Sequence, residues 1–217
     1  MSDLPLVTAF DWVPDFAKGL VRDLRVRWAF EEIGAPYATE LLDARTPRPE
    51  PYLARQPFDQ VPAFREGDLD IFETGAILLY LGERDDRLLP LETHARWTAI
   101  SWLFAALNSV EPFVTRVTTY DLFHNDKAWM PDAREAAVGL CLKRLQRLSD
   151  ALDGKDWLAG SFSVADIAMV TVLNNLRHTG LVAEYPALAA YQARGEARPA
   201  YKRALDAQYA DFTPETV

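Results

Sequence analysis

Residues 60–81 read QVPAFREGDLDIFETGAILLYL. Two short apolar runs, 61–65 and 69–72, flank Glu66-Gly67-Asp68, whose glycine suits a tight turn, so the segment opens as a hairpin. Pro62 stands near the start of the first run. Proline cannot donate to a ladder, which confines it to an edge, a bulge or a strand's first residue. There the amide and carbonyl of Val61 are left unpaired by the sheet and can pair with an extended peptide. Without further context the Val61-Pro62 bond reads as an ordinary trans bond ending a loop, whereas a cis bond would turn those two groups outward toward a cleft. Past the hairpin, Glu73-Thr74 stands at the start of an apolar helix running to about Arg84. A helix start offers unpaired amides and a partial positive charge, which attract a carboxylate. Thr74 either caps that helix or donates its hydroxyl to the carboxylate. Glu73 adds a negative group beside it. Elements for an anion and a cation, side by side, suit a free amino-acid end.

Toward the N-terminus the alternation of strand and helix continues. LPLVTAF (4–10) reads as a strand. From about residue 18 to 33, Leu20, Leu24, Val26, Trp28, Ala29, Phe30 and Ile33 recur at helical spacing, and Gly34 and Pro36 stop the helix. Residues 37–42 read as a second strand, residues 43–51 as a proline-rich loop, and a short helical turn precedes Pro57. The order β-α-β-(α)-β-β-α implies a mixed four-stranded sheet with helical cover. Residues 85–92 are a polar connector, and everything after reads as helix. Pro112 should kink or break the segment that starts at Thr93. Further helices run from about 131 to 152, from near Ser163, and from first turns containing Pro186 and Pro199. The fold class is α/β plus all-α, with domains at 1–84 and 93–217 joined by 85–92.

Of 217 residues, 49% are apolar and 25% charged, a globular composition with six tryptophans available to fill a core. A formal net charge of −9 offers no basic face to nucleic acid. Basic residues gather only at Lys18, Arg22, Arg25 and Arg27, alternating with apolar ones. They read as the wet side of one helix, or else as a local spot for a small anion. The single cysteine, Cys141, lies in a helical pattern and reads as a buried thiol. His94, His124 and His178 lack ligand spacing, so no metal is expected. No basic-then-apolar leader opens the sequence and no apolar run is long enough to span a bilayer, so a cytoplasmic protein without a membrane partner is expected.

A third stretch, WLAGSFSVADIAMVTV (157–172), sets Ser163 and Asp166 three apart before an apolar run. This is a capping box with Asp in place of Glu or Gln, and Phe162 and Ile167 are spaced for the hydrophobic staple. In this order, RVRWAFEEIGAPY (25–37), RQPFDQVPAF (55–64), ETGAILLYL (73–81) and GSFSVADI (160–167) resemble the cytosolic glutathione transferase superfamily across essentially the whole chain. The resemblance implies a thioredoxin-like N-terminal domain, an all-helical C-terminal domain, a homodimer and a cis Val61-Pro62 bond. It implies glutathione as co-substrate. Val61 would pair with the cysteinyl unit, Glu73 and Thr74 would hold the γ-glutamyl end, and Gln60 would lie near the glycine end.

The sequence departs from that pattern where the chemistry is expected. Relatives place Ser, Tyr or Cys between the first strand and first helix. Here Val13 or Leu20 falls at that point, depending on the direction of counting, and neither can donate or attack. A free thiol titrates near about 8.5, so something must favour the thiolate. The substitutes are Trp12, whose indole donates one hydrogen bond, Lys18, and the amides opening the first helix. The competing reading is that Trp12 packs or lines a groove and Lys18 is solvated. The second substrate is expected between the domains, with Phe104, Phe113, Tyr120 and Phe123 as liners that helical spacing equally assigns to a core. The function read here is conjugation of the glutathione thiolate to a small, largely apolar electrophile, as in detoxification, or a related isomerase or lyase reaction. One rival is a non-catalytic glutathione transferase-like module for binding or protein interaction, favoured by the missing hydroxyl. Another is a disulfide-exchange protein, and the lack of an N-terminal cysteine argues against a thiol mechanism of its own.

Overall fold

The computed structural model describes residues 4–213. The first three residues, where a leader would begin, and the last four, which the sequence limits assign to the helical domain, lie outside the described residues. Contacts divide the chain into two units, residues 4–85 with 198–213, and residues 86–197.

The first unit contains β1 (Leu6–Trp12), α1 (Asp23–Ile33), β2 (Ala38–Asp43), α2 (Glu50–Leu53), β3 (Ala63–Glu66), β4 (Leu69–Phe72) and α3 (Thr74–Gly82), joined by α9 (Pro199–Asp211). The sheet order is β2-β1-β3-β4, with β1 and β2 parallel and the other pairs antiparallel. This is the mixed four-stranded sheet of a thioredoxin-like domain. β1 is covered on both faces, so Val7, Thr8 and Ala9 are all buried. Phe10 packs with Tyr52, Val61 and Ala63 on the α2 side. Phe64 meets Phe30 of α1, ring centroids 6.2 Å apart, as alternation along β3 requires. β1 extends through Trp12, so Trp12 ends a strand rather than opening a loop.

α1 begins at Asp23 rather than near residue 18, because turns through Gly19, at φ 78, take up the preceding residues. Every residue from Asp23 to Phe30 is buried. Arg25 and Arg27, read from sequence as solvated, are 2% and 1% exposed. For Arg27 the reason is α9, which packs along α1. Arg27 donates to Asp23 at 2.7 Å and to Asp211 at 2.6 Å, and Gln208 donates to Asp23 at 2.8 Å. Arg198 grips Glu32 through two bonds of 2.6 and 2.8 Å, and Tyr201 meets Trp28 edge-on at 4.9 Å. Residues 198–213 thus group with the first unit, whereas the limits read from sequence place them with the helical domain.

The second unit is helical: α4 (Thr93–Phe104), a π turn (Ala105–Val110), α5 (Glu111–Phe123), α6 (Met130–Ala151), α7 (Val164–Asn174) and α8 (Pro186–Glu196). Pro112 does not break the helix that α4 begins. Its missing N–H and its ring disfavour the usual bond to the carbonyl four residues back, and the turn before it widens instead. Of the six tryptophans only Trp28 is fully buried, while Trp97 and Trp129 are exposed. α7 is buried along its whole length behind the capping box. Asp166 accepts from the amides of Leu158 (3.1 Å) and Ser163 (2.9 Å) and from the hydroxyls of Ser163 (3.1 Å) and Tyr191 (2.9 Å).

Burial pushes the Asp166 carboxyl from 3.8 up to about 6, against the pull of those bonds. A carboxyl titrating higher in the folded state binds its proton more tightly there. Its contribution therefore favours folding at acid pH and is lost as pH rises through about 6. Asp166→Asn is expected to flatten this part of the stability–pH curve, measured by urea unfolding across the acid-to-neutral range. An unchanged slope contradicts the assignment.

Candidate functional site

The chain between α2 and β3 is held by two side chains. Gln56, 2% exposed, accepts from the amides of Phe58 (2.7 Å) and Gln60 (3.2 Å) through its side-chain carbonyl. Tyr52 donates its hydroxyl to the Gln60 carbonyl at 2.5 Å. Burial pushes this phenol up to about 12, so it remains a donor at any physiological pH. Between them Asp59 adopts a left-handed conformation, φ 59, which Asp tolerates better than most residues. Both backbone groups of Gln60 are therefore tied, while the residue itself is exposed.

The next peptide bond, Val61-Pro62, is cis. Val61 buries its side chain against Tyr52 and Ala63, and β3 begins only at Ala63. The amide and carbonyl of Val61 make no hydrogen bond among the described residues.

Strand register brings the second recognition element beside the first. Ala63 stands opposite Phe72, so Pro62 and Glu73 flank the same end of the hairpin. Glu73 is exposed and sits at φ 70, ψ 121, a conformation that costs a residue with a side chain about 1–3 kcal/mol. It is the N-cap residue of α3, yet its side chain makes no cap bond. The side chains of Glu92 and Ser163, by contrast, take first-turn amides of α4 and α7. Thr74 is the first residue of α3 and does not cap it; its buried hydroxyl accepts from Arg25 Nη1 at 3.2 Å. One end of the hairpin thus presents uncapped helix amides, a hydroxyl, a carboxylate and an unpaired backbone amide and carbonyl. These groups can receive the ammonium and carboxylate of an amino-acid head and the peptide unit that follows it.

Val7 stands opposite Phe64, which directs the C-terminal end of β1, with Trp12, toward the same end of the sheet. The Arg45 guanidinium lies 5.0 Å from the centroid of a Trp12 ring, and Lys18 pairs with Asp15 at 2.6 Å. At the opening of α1 the amides of Leu24 and Arg25 donate to the carbonyls of Val21 and Arg22, each at 3.1 Å. The four aromatics read as liners or core lie in the second unit. Phe104 and Phe123 are exposed, and Phe113 and Tyr120 are partly exposed, so none is a core residue.

Gln56, Tyr52, Arg25 and Arg48 are absent from the site residues read from sequence. Arg48 donates to the carbonyls of Asp43 and Thr46, both at 2.7 Å. Its Nε lies 3.5 Å from Asp59, near enough for an ion pair but not aligned for a hydrogen bond. No sequence spacing points to Gln56, Tyr52 or Arg48, and Arg25 enters only through the basic cluster read as a solvated face or a local anion spot; each matters through a partner fixed by the fold. Among the described residues no group of three His, Cys, Asp or Glu could hold a metal, and no helix is long and apolar enough to cross a membrane.

Residues 16–83 match the family model described as glutathione S-transferase, N-terminal domain, and residues 113–207 match glutathione S-transferase, C-terminal domain. The chain belongs to the glutathione S-transferase family. The N-terminal match begins at residue 16, past β1, Trp12 and Val13 but before Leu20, so it takes in one of the two positions where the usual hydroxyl is missing. Among relatives, the chain is 31% identical over 167 residues to the disulfide-bond oxidoreductase YfcG of Escherichia coli (strain K12), covering 73% of this chain and 76% of that one. It is 27% identical over 169 residues to a glutathione S-transferase of Hyoscyamus muticus, covering 72% and 79%. A glutathione transferase family member from Pseudomonas fluorescens pf-5, solved with two glutathione bound, superposes with a TM-score of 0.84 at 25% identity, covering 94% of this chain and 92% of that one.

Gln56→Ala leaves the amides of Phe58 and Gln60 without their acceptor. It is expected to lower stability by about 1–3 kcal/mol in urea unfolding. Unchanged stability would contradict the role given to Gln56.

Proposed function

We propose that the chain is a glutathione transferase that conjugates the glutathione thiolate to a small, largely apolar electrophile. What carries this reading is the unpaired amide and carbonyl of Val61 beside the uncapped start of α3. Glutathione has the matching parts in the matching order. Its α-carboxylate meets the α3 amides and the Thr74 hydroxyl, and its ammonium meets Glu73. Its cysteinyl unit pairs with Val61 as an added strand would. Its glycine carboxylate lies toward Gln60 and the positive charge of Arg48. The bound thiol loses its proton to water, its sulfur forms a bond to the electrophilic carbon, and the leaving group departs with the electron pair. No protein hydroxyl or thiol assists. Trp12 and Lys18 are the candidate catalytic residues in this reading, although Lys18 is paired with Asp15. A homodimer in a reducing, cytoplasmic setting completes it.

The missing hydroxyl and the similarity to YfcG favour a second reading, exchange between glutathione and a disulfide. Here the bound thiolate attacks one sulfur of the disulfide, the other leaves as thiolate, and a second glutathione releases the product as glutathione disulfide. This needs no protein cysteine. Cys141 takes no part, since it is buried and burial pushes its thiol up to about 11.

Calorimetric titration with glutathione tests the shared basis of both. The unaltered protein should bind, and Glu73→Gln and Thr74→Val should each weaken binding about tenfold or more, as expected for loss of a hydrogen bond to a charged group. No binding at millimolar glutathione overturns the reading. Assays with chloronitrobenzene-type electrophiles and with hydroxyethyl disulfide then separate the two reactions. Binding without either activity would favour the non-catalytic module.

A further inference from the structure

Arg25 sits in the first turns of α1, 2% exposed, and donates to the Thr74 hydroxyl oxygen at 3.2 Å. A guanidinium can only donate, so it occupies a lone pair of that oxygen and leaves the single hydroxyl hydrogen to point elsewhere. That hydrogen has no acceptor among the described residues, and the helix that Thr74 opens does not use the hydroxyl as a cap. The Ser163 hydroxyl makes the contrast. At the start of α7 it accepts from the Ala165 amide at 3.3 Å and donates to Asp166 at 3.1 Å, so nothing is left for a ligand. Thr74 is β-branched, which restricts its rotamers, and Arg25 fixes where its proton can go.

We propose that Arg25 is a positioning residue that turns the Thr74 hydroxyl into an outward donor and thereby makes the site selective for a ligand carrying a carboxylate at that end. The inference rests on the glutathione-binding reading of the site and adds what sets its preference for the γ-glutamyl α-carboxylate. The guanidinium also places positive charge behind the hydroxyl, and a polarised donor bonds an anion more strongly than a neutral group. Arginine is suited to this place because its planar fork is fixed, whereas a lysine ammonium is a mobile point charge on a flexible stem.

The test compares glutathione with γ-aminobutyryl-cysteinyl-glycine, the same peptide without the α-carboxylate, by calorimetric titration. The unaltered protein should prefer glutathione. Arg25→Met should weaken glutathione binding about ten- to a hundredfold, the range for losing a hydrogen bond to a charged group, and should leave the analogue within about twofold. Thr74→Ser should keep the preference, and Arg25→Met added to Thr74→Val should weaken glutathione no further than Thr74→Val alone. Where Arg25→Met does not fold, Arg25→Lys replaces it and should narrow the preference. An Arg25 variant that keeps the full preference overturns the inference, as does one that weakens both ligands equally, since that is what a merely structural role produces. Failure of the unaltered protein to bind glutathione overturns the underlying reading and the inference with it. Binding by the unaltered protein with its preference intact in the Arg25 variants overturns the inference alone.

Discussion

The pairing of Ala63 with Phe72 sets where everything at the candidate site lies. Because β3 and β4 are antiparallel in this register, the residue before one and the residue after the other become neighbours. A slip of one residue would exchange the faces of every side chain and separate Pro62 from Glu73. Several contacts hold the register. Gly67 takes the turn at φ 57. Arg65 and Asp70 stand directly opposite and bond twice, at 2.8 and 2.7 Å. Phe64 stacks on Phe30. Glu66 is bound by Tyr80 and Arg84 of the α3 segment, which ties the hairpin to the helix whose start it positions.

α1 connects this site to the end of the chain. Arg25 and Arg27 are two residues apart, about 200° around the helix. One reaches Thr74 and the other reaches Asp211. Both are buried, where an ion without partners would be costly. Burial opposes charge on Asp23 and Arg27, and each is held by the other and by Gln208 or Asp211. Apolar packing alone would hold α9 against α1 in several rotations. A buried network with fixed donors and acceptors is satisfied in one of them. The same helix face that accepts α9 thus fixes the orientation in which Arg25 meets the site.

Much of this was legible in sequence because it is local. The mixed sheet, the hairpin around Gly67, the Ser163–Asp166 capping box and the helix starts at Pro186 and Pro199 each depend on residues within one turn or one strand pair. Glu73 and Thr74 were legible as a helix start, but the uncapped geometry was not, since it depends on a backbone at φ 70. The burial of Arg25 and Arg27 was illegible for another reason. Alternating charged and apolar residues look like a solvated helix face until distant partners meet them: Arg27 pairs with α9, more than 160 residues later, and Arg25 bonds Thr74 (arrangements local spacing cannot encode). Pro112 was read as a kink or a break, and the chain answered with a wider turn. Gln56 and Tyr52 act through backbone partners in a loop with no regular period, so no periodic pattern marks them.

A crystal structure with glutathione bound is the most direct measurement of the central claim. The account predicts the amide and carbonyl of Val61 each about 3 Å from the carbonyl and amide of the cysteinyl unit, with the γ-glutamyl carboxylate against the start of α3. Glutathione seated elsewhere, with those two groups of Val61 still unpaired, would contradict it.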